Sequence, residues 1–104
     1  MTFENVSATA IANVYFDGKV VSHSLALVDG AQVTLGIIYP GEYHFATEVA
    51  ECMEITAGQC SVVKDGGECS VRYGSGERFE VPENSGFTIS VEEGICQYVC
   101  TFLS

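Results

Sequence analysis

The chain has 104 residues, 47% of them hydrophobic and 17% charged, with 14 acidic side chains against four basic ones and a net charge of -10. At roughly 100–200 residues per domain this is a single domain over 1–104, apolar enough to bury a core and not of disordered composition. The charge balance repels polyphosphate, so nucleic acid and anionic membrane are excluded as expected partners, and a small anionic ligand needs a local basic group that overrides the field.

In chain order, Met1–Asn13 carries Glu4 and no basic residue, which speaks against a signal peptide. Residues 1–11 are expected to form a loosely held arm. Strand-like runs follow at Lys19–Val28 and Gln32–Tyr39. Gly41–Thr47 alternates, with Tyr43, Phe45 and Thr47 on one face and Glu42 and His44 on the other. Thr47–Met53 is compatible with one helical turn. A further strand is expected at Glu54–Thr56. Val62 and Val63 run into Lys64-Asp65-Gly66-Gly67, after which Cys69, Val71 and Tyr73 alternate, which is a hairpin signal. Arg78–Val81, Gly86–Val91 and Gln97–Leu103 complete the series. Short strands separated by 11 glycines predict an all-β sandwich or barrel. Pro40 and Pro82 fall at strand ends, where no ladder hydrogen bond is lost.

Five cysteines (Cys52, Cys60, Cys69, Cys96, Cys100) form no C-x-x-C pair, and neither His23 nor His44 extends a zinc set. They read as reduced, mostly buried thiols of a cytoplasmic protein. With no run approaching the ~18 apolar residues of a membrane span, no membrane partner is expected.

Two spacings carry a first resemblance. Glu51 precedes Gly58 by seven positions, just after the Tyr43–Thr47 strand, and Gly76 precedes Pro82 by six. Together they resemble the paired motifs of cupins, which implies a single cupin-type jelly-roll β-barrel. Metal-binding cupins keep histidines where this chain has Phe45 and Thr47, or His44 and Ala46 in the alternative register, and Phe87. A metal site needs three or four converging N or O ligands. Phenylalanine supplies none, so no metal is expected. The interior reads instead as an aromatic pocket with Phe45, Phe87 and Tyr43, and with Thr47, Glu51 and Ser85 as its polar groups. Such a pocket suits a flat organic ligand, although the same rings would also fill a small barrel.

A second resemblance covers nearly all of residues 13–103. Its blocks are Asn13–Val20, Pro40–Thr47, Glu51-x-Met53 with Gly58, Gly76–Phe87, and Tyr98-x-Cys100-x-Phe102-Leu103. In that order they resemble the pyrimidine/purine nucleoside phosphorylase family of single-domain cupins. The resemblance implies broad-specificity pentosyl transfer: nucleoside plus inorganic phosphate gives free base and ribose 1-phosphate. Phosphate is then a co-substrate, and no cofactor is expected.

That chemistry runs through an oxocarbenium-like sugar, so it needs an oriented phosphate and an anion near the developing positive charge. Glu51 is the candidate carboxylate, for the sugar cation or the ribose hydroxyls, with Glu54 as the alternate. Lys19 is the first candidate for a catalytic phosphate contact and Arg78 the second. Lys64 and Arg72 are expected to be solvated. Tyr43 and Tyr98 are candidates to stack on the base or to bond the sugar. Phe45, Thr47, Ser85 and Phe87 complete the expected substrate-binding set. The rival readings are a non-catalytic cupin that binds a nucleoside or sugar, and a metal-dependent dioxygenase or isomerase. A homodimer is expected, because open sheet edges need covering and Val6–Val14 is apolar enough to add a strand to a neighbour.

Overall fold

The computed structural model describes residues 1–103, so the last residue of the expected domain lies outside it. Eleven strands form two facing sheets. The strands are β1 (Ser7–Ala8), β2 (Asn13–Tyr15), β3 (Val20–Ala26), β4 (Gln32–Ile38), β5 (Gly41–Ala46), β6 (Glu51–Ala57), β7 (Gln59–Lys64), β8 (Val71–Gly74), β9 (Arg78–Val81), β10 (Gly86–Val91) and β11 (Cys96–Phe102). The seven-stranded sheet runs β1-β3-β4-β11-β6-β9, with β2 also paired to β3. The four-stranded sheet runs β5-β10-β7-β8. Every ladder is antiparallel.

The all-β expectation therefore holds, but the two sheets are not closed into one barrel. Each keeps its own edge strands, and the core closes by packing face on face, as in a sandwich. From β4 onward the chain passes repeatedly between sheets, so each sheet covers the apolar face of the other. Phe87, Ile89, Ile55, Ile38, Val20 and Val81 are all buried between them. Each such side chain contributes ~1.5–3 kcal/mol by leaving water. The Cys60 and Cys96 thiols, from opposite sheets, share a hydrogen bond in this core.

Three local expectations are corrected. Thr47–Met53 is not a helical turn, because β6 begins at Glu51 and buries Met53 and Ile55 by period-two alternation. Cys69 lies in the β7–β8 loop, since the ladder closes at Val62 opposite Val71 and leaves the intervening residues looped. The N-terminal arm is docked on its own chain. Ser7 and Ala8 pair with Ala26 and Leu25, and Phe3 and Val6 pack on Leu25, Val33 and Val99.

Two glycines are required by what passes over them. Gly36 on β4 lies between Ser22 and Tyr98 in the neighbouring strands, and a Cβ there would overlap the Tyr98 ring. Gly58 turns β6 into β7 at φ +79°, and a Cβ there would overlap the Ile95 carbonyl oxygen. Both approaches fit only a residue without a side chain.

Candidate functional site

A cavity of about 430 Å³ opens between the sheets. Its walls differ in chemistry because they come from different sheets. The four-stranded sheet contributes Phe45 from β5 and Phe87 from β10, whose rings stack at 5.7 Å. Tyr15 and Phe16 rim the mouth and meet Phe45 edge-on, at 6.2 Å and 5.5 Å. Phe16 and Asp17 both hold left-handed backbone, at φ 52° and 57°. This conformation is costly for a bulky residue. It accompanies a turn that places the Phe16 ring 5.0 Å from Tyr43.

The seven-stranded sheet contributes the polar wall, with Ser22, Thr34, Glu51, Tyr98 and Cys100, flanked by Ile38, Met53 and Phe102. These face inward through strand alternation: Cys100 sits opposite both Thr34 and Met53, and Phe102 opposite Glu51. Burial holds the Glu51 carboxyl above its ordinary range, only partly offset by the Cys100 thiol that bonds to it. The same burial, together with the Glu51 charge, pushes the Cys100 thiol up to about 12. A thiol held there is neutral and a poor nucleophile. Tyr98 is also pushed up, chiefly by burial, and its hydroxyl bonds to Ser22. The sheet thus carries two short polar chains, Thr34–Cys100–Glu51 and Tyr98–Ser22, in an otherwise apolar space.

Of the residues expected at the site, the cavity brings together Phe45, Phe87, Glu51 and Tyr98. Three others serve the frame. The Tyr43 hydroxyl sits 2.8 Å and 2.9 Å from the Tyr39 and Pro40 carbonyls, in the core beside the cavity. Thr47 Oγ1 donates to the Pro82 carbonyl at 2.6 Å and accepts from the Ser85 N–H at 2.9 Å, so Thr47 and Ser85 lock β5 to the β9–β10 loop. Arg78 lies on the outer face of the seven-stranded sheet, beside Glu54. Lys19 is exposed after the Phe16–Gly18 turn and outside the cavity lining. Lys64 and Arg72 are exposed, as expected, with Arg72 3.8 Å from Glu92.

The sequence reading missed Tyr15, Phe16, Ser22, Thr34, Cys100 and Phe102 as cavity residues. For Ser22, Thr34 and Cys100 the available signal was alternation in their strands. It marked them as inward-facing, and only the pairing of β3, β4, β11 and β6 puts them side by side. Among the described residues, no three His, Cys, Asp or Glu side chains converge as a metal would require.

Comparison with known proteins agrees with this architecture along the whole chain. The family profile "Pyrimidine/purine nucleoside phosphorylase" matches residues 10–102. The chain belongs to the pyrimidine/purine nucleoside phosphorylase family. A relative of that name from Paraburkholderia xenovorans (strain LB400) is 50% identical over 101 residues, covering 97% of this chain and 94% of its own. Another from Geobacter sp. (strain M21) is 48% identical and covers 97% of both. A crystal structure of a protein of unknown function from Acinetobacter sp. ADP1 superposes with a TM-score of 0.95 at 38% identity, covering 98% of each chain. The blocks that carried the family resemblance fall on both sheets, and the cavity residues Phe45, Glu51, Phe87 and Tyr98 lie within them.

Proposed function

We propose that this protein is a nucleoside phosphorylase of broad base specificity, working without a metal or cofactor in a cupin-type jelly-roll frame. The observation that carries the reading is the division of one cavity into a stacking wall and a carboxylate wall, in a chain of this family. Rings stack on any base, because every base has a π-face, so Phe45 and Phe87 suit purines and pyrimidines alike. Glu51 faces the same space from the other sheet. When the C1′–N bond breaks, its electron pair leaves with the base and positive charge grows on the sugar. A poorly solvated carboxylate acts on that charge more strongly than a hydrated one. A phosphate oxygen then bonds to C1′, and the proton of hydrogenphosphate ends on the departing base, which balances the reaction. Tyr98 is the neutral hydroxyl of the polar wall.

Lys19 supports the phosphate role by its place in the chain, directly after the turn that rims the mouth, and it reaches on a flexible stem. The chemistry needs no resident metal, and Phe45 and Phe87 bring no donor to two of the metal-cupin ligand positions. Activity is therefore expected to survive a chelator, and elemental analysis is expected to find no stoichiometric transition metal. The proposed setting is the cytoplasm, which suits five free thiols. A homodimer is proposed to cover the second large hollow, about 370 Å³ on the outer face of the seven-stranded sheet, where Phe3, Leu35 and Val99 are grouped.

The test is release of free base from uridine and from adenosine, with and without phosphate. Phosphate-dependent release from both is expected. Binding of nucleoside without release would favour the non-catalytic reading.

A further inference from the structure

Strand β5 ends the four-stranded sheet and, among the described residues, pairs only with β10. The Thr47 N–H donates to the Ser85 carbonyl at 2.9 Å, which continues the register of Ala46 opposite Gly86. In an antiparallel ladder, bonded and non-bonded pairs alternate. Phe45 and Tyr43 therefore turn their backbone groups to β10. His44 and Ala46 turn theirs to the open edge. Both of these residues line the cavity. Their side chains do not explain that lining. The Ala46 side chain is one methyl, and His44 points to the outer face, where its Nε2 meets both Asp65 carboxylate oxygens at 3.0 Å. The ladder register therefore assigns their part of the lining to backbone: N–H, C=O, N–H, C=O in sequence along the edge.

This edge is held in place. A Cβ on Gly86 would lie 2.6 Å from Asp65 Oδ2 and 3.0 Å from His44 Nε2, so the bare backbone of Gly86 lets the His44–Asp65 bridge cross β10 and clamp β5. Thr47 clamps the same strand at its end. An exposed edge is ordinarily covered or paired, because its donors and acceptors are costly to leave dry.

We propose that the open edge of β5 at His44 and Ala46 binds the sugar hydroxyls of the nucleoside. This inference rests on the phosphorylase reading. The alternation of donor and acceptor decides the ligand chemistry. Phosphate in its reactive form is chiefly an acceptor, and it would meet the His44 and Ala46 carbonyls as repulsive neighbours. A hydroxyl both donates and accepts, so a pair of sugar hydroxyls matches the edge. The sugar is also common to every base, so a backbone grip on it is compatible with broad base tolerance.

The decisive variant is Ala46→Pro, which removes one edge N–H where proline is tolerated because that N–H faces away from the ladder. A second form, with lactic acid at position 46 introduced by nonsense suppression, replaces the N–H by an ester oxygen and keeps the methyl. Glu42→Pro, on the same edge parity but outside the cavity lining, is the control. For the two position-46 forms, KM for adenosine and for uridine is expected to rise about 2- to 12-fold, as for one lost neutral hydrogen bond. KM for phosphate is expected to stay within about twofold. The penalty should shrink with at least one of 2′-deoxyadenosine, 3′-deoxyadenosine and 5′-deoxyadenosine, whichever lacks the hydroxyl held by the edge. A penalty equal for adenosine and all three analogues overturns the proposal, as does a rise confined to phosphate. Absence of phosphate-dependent release in the unaltered protein would instead overturn the phosphorylase reading.

Discussion

The two walls of the cavity solve opposite problems with opposite chemistry. The wall from the four-stranded sheet is aromatic and stacked, with Phe45 on Phe87 and Phe16 closing from the mouth. It supplies area and no direction. The wall from the seven-stranded sheet is sparse in rings and carries hydroxyl, thiol and carboxyl groups linked by hydrogen bonds. It supplies direction, and burial makes its Glu51, Cys100 and Tyr98 groups harder to ionise. In the proposed reaction the contrast separates binding of a base from the chemistry of a sugar, and each wall can be perturbed independently.

The largest expected effect comes from the polar wall. Glu51→Gln keeps the shape and removes the charge, and kcat/KM is expected to fall roughly 100- to 1000-fold, as for the loss of one group that stabilises transition-state charge. The same change is expected to raise Tm at neutral pH. The carboxyl of Glu51 is held above its ordinary value of 4.5 in the folded protein. It therefore binds its proton more tightly folded than unfolded, and its contribution to stability is full below 4.5 and lost as pH rises through the folded value. The glutamine variant escapes that loss, so its Tm advantage should appear above that range and vanish below it. A melting series across pH checks this. A variant less stable than the parent at every pH would show that the Glu51 charge is structurally satisfied.

Next to the Phe16–Gly18 turn, Lys19→Met removes a charge and keeps the stem, and the dependence of rate on phosphate is expected to weaken roughly 10- to 100-fold. A change below about twofold would make Lys19 a solvated surface residue. Initial rates at fixed nucleoside decide it. On the aromatic wall, Phe45→Leu should raise KM for every nucleoside by about 5- to 50-fold, the scale of one lost stacking contact, with little change for phosphate. An effect confined to purines would mean that the wall selects bases. The Gly36→Ala change tests the join between strands. Its Cβ overlaps the Tyr98 ring, so about 1–3 kcal/mol of stability is expected to be lost in denaturant titration as the ring is displaced. The smallest effect concerns Cys100. With its thiol pushed up to about 12, alkylation at neutral pH should label exposed Cys69 and leave Cys100 and activity intact, as read by peptide mass spectrometry.

Much of this was legible from residue order. Alternation and glycine spacing located most strands, with Arg78–Val81 and Gly86–Val91 placed to the residue. Of the expected site residues the cavity contains Phe45, Phe87, Glu51 and Tyr98, while Lys19, Tyr43, Thr47, Arg78 and Ser85 lie outside its lining. Tyr43 and Thr47 share the inward face of β5 with Phe45, and sequence gives no means of telling a ring that lines a cavity from one packed beside it. The Thr47–Met53 segment misled because glutamate, alanine and methionine favour helix locally, while burial of Met53 and Ile55 against the opposite sheet favours strand. Local propensity is weak beside that burial.

Residue order by itself determined which side chains face inward, because a strand alternates with period two and polar residues at inward positions stand out. It also determined the family, because the matching blocks extend along nearly the whole chain. Tertiary structure decided which inward residues become neighbours. Ser22 meets Tyr98 over Gly36, and Cys100 meets Glu51, because strands distant in sequence pair in one register. It also decided that β5 is an edge strand whose His44 and Ala46 line the cavity. Pairing partners and sheet order are non-local, set by the total apolar area that two sheets can bury against each other, and no short stretch of sequence carries that sum.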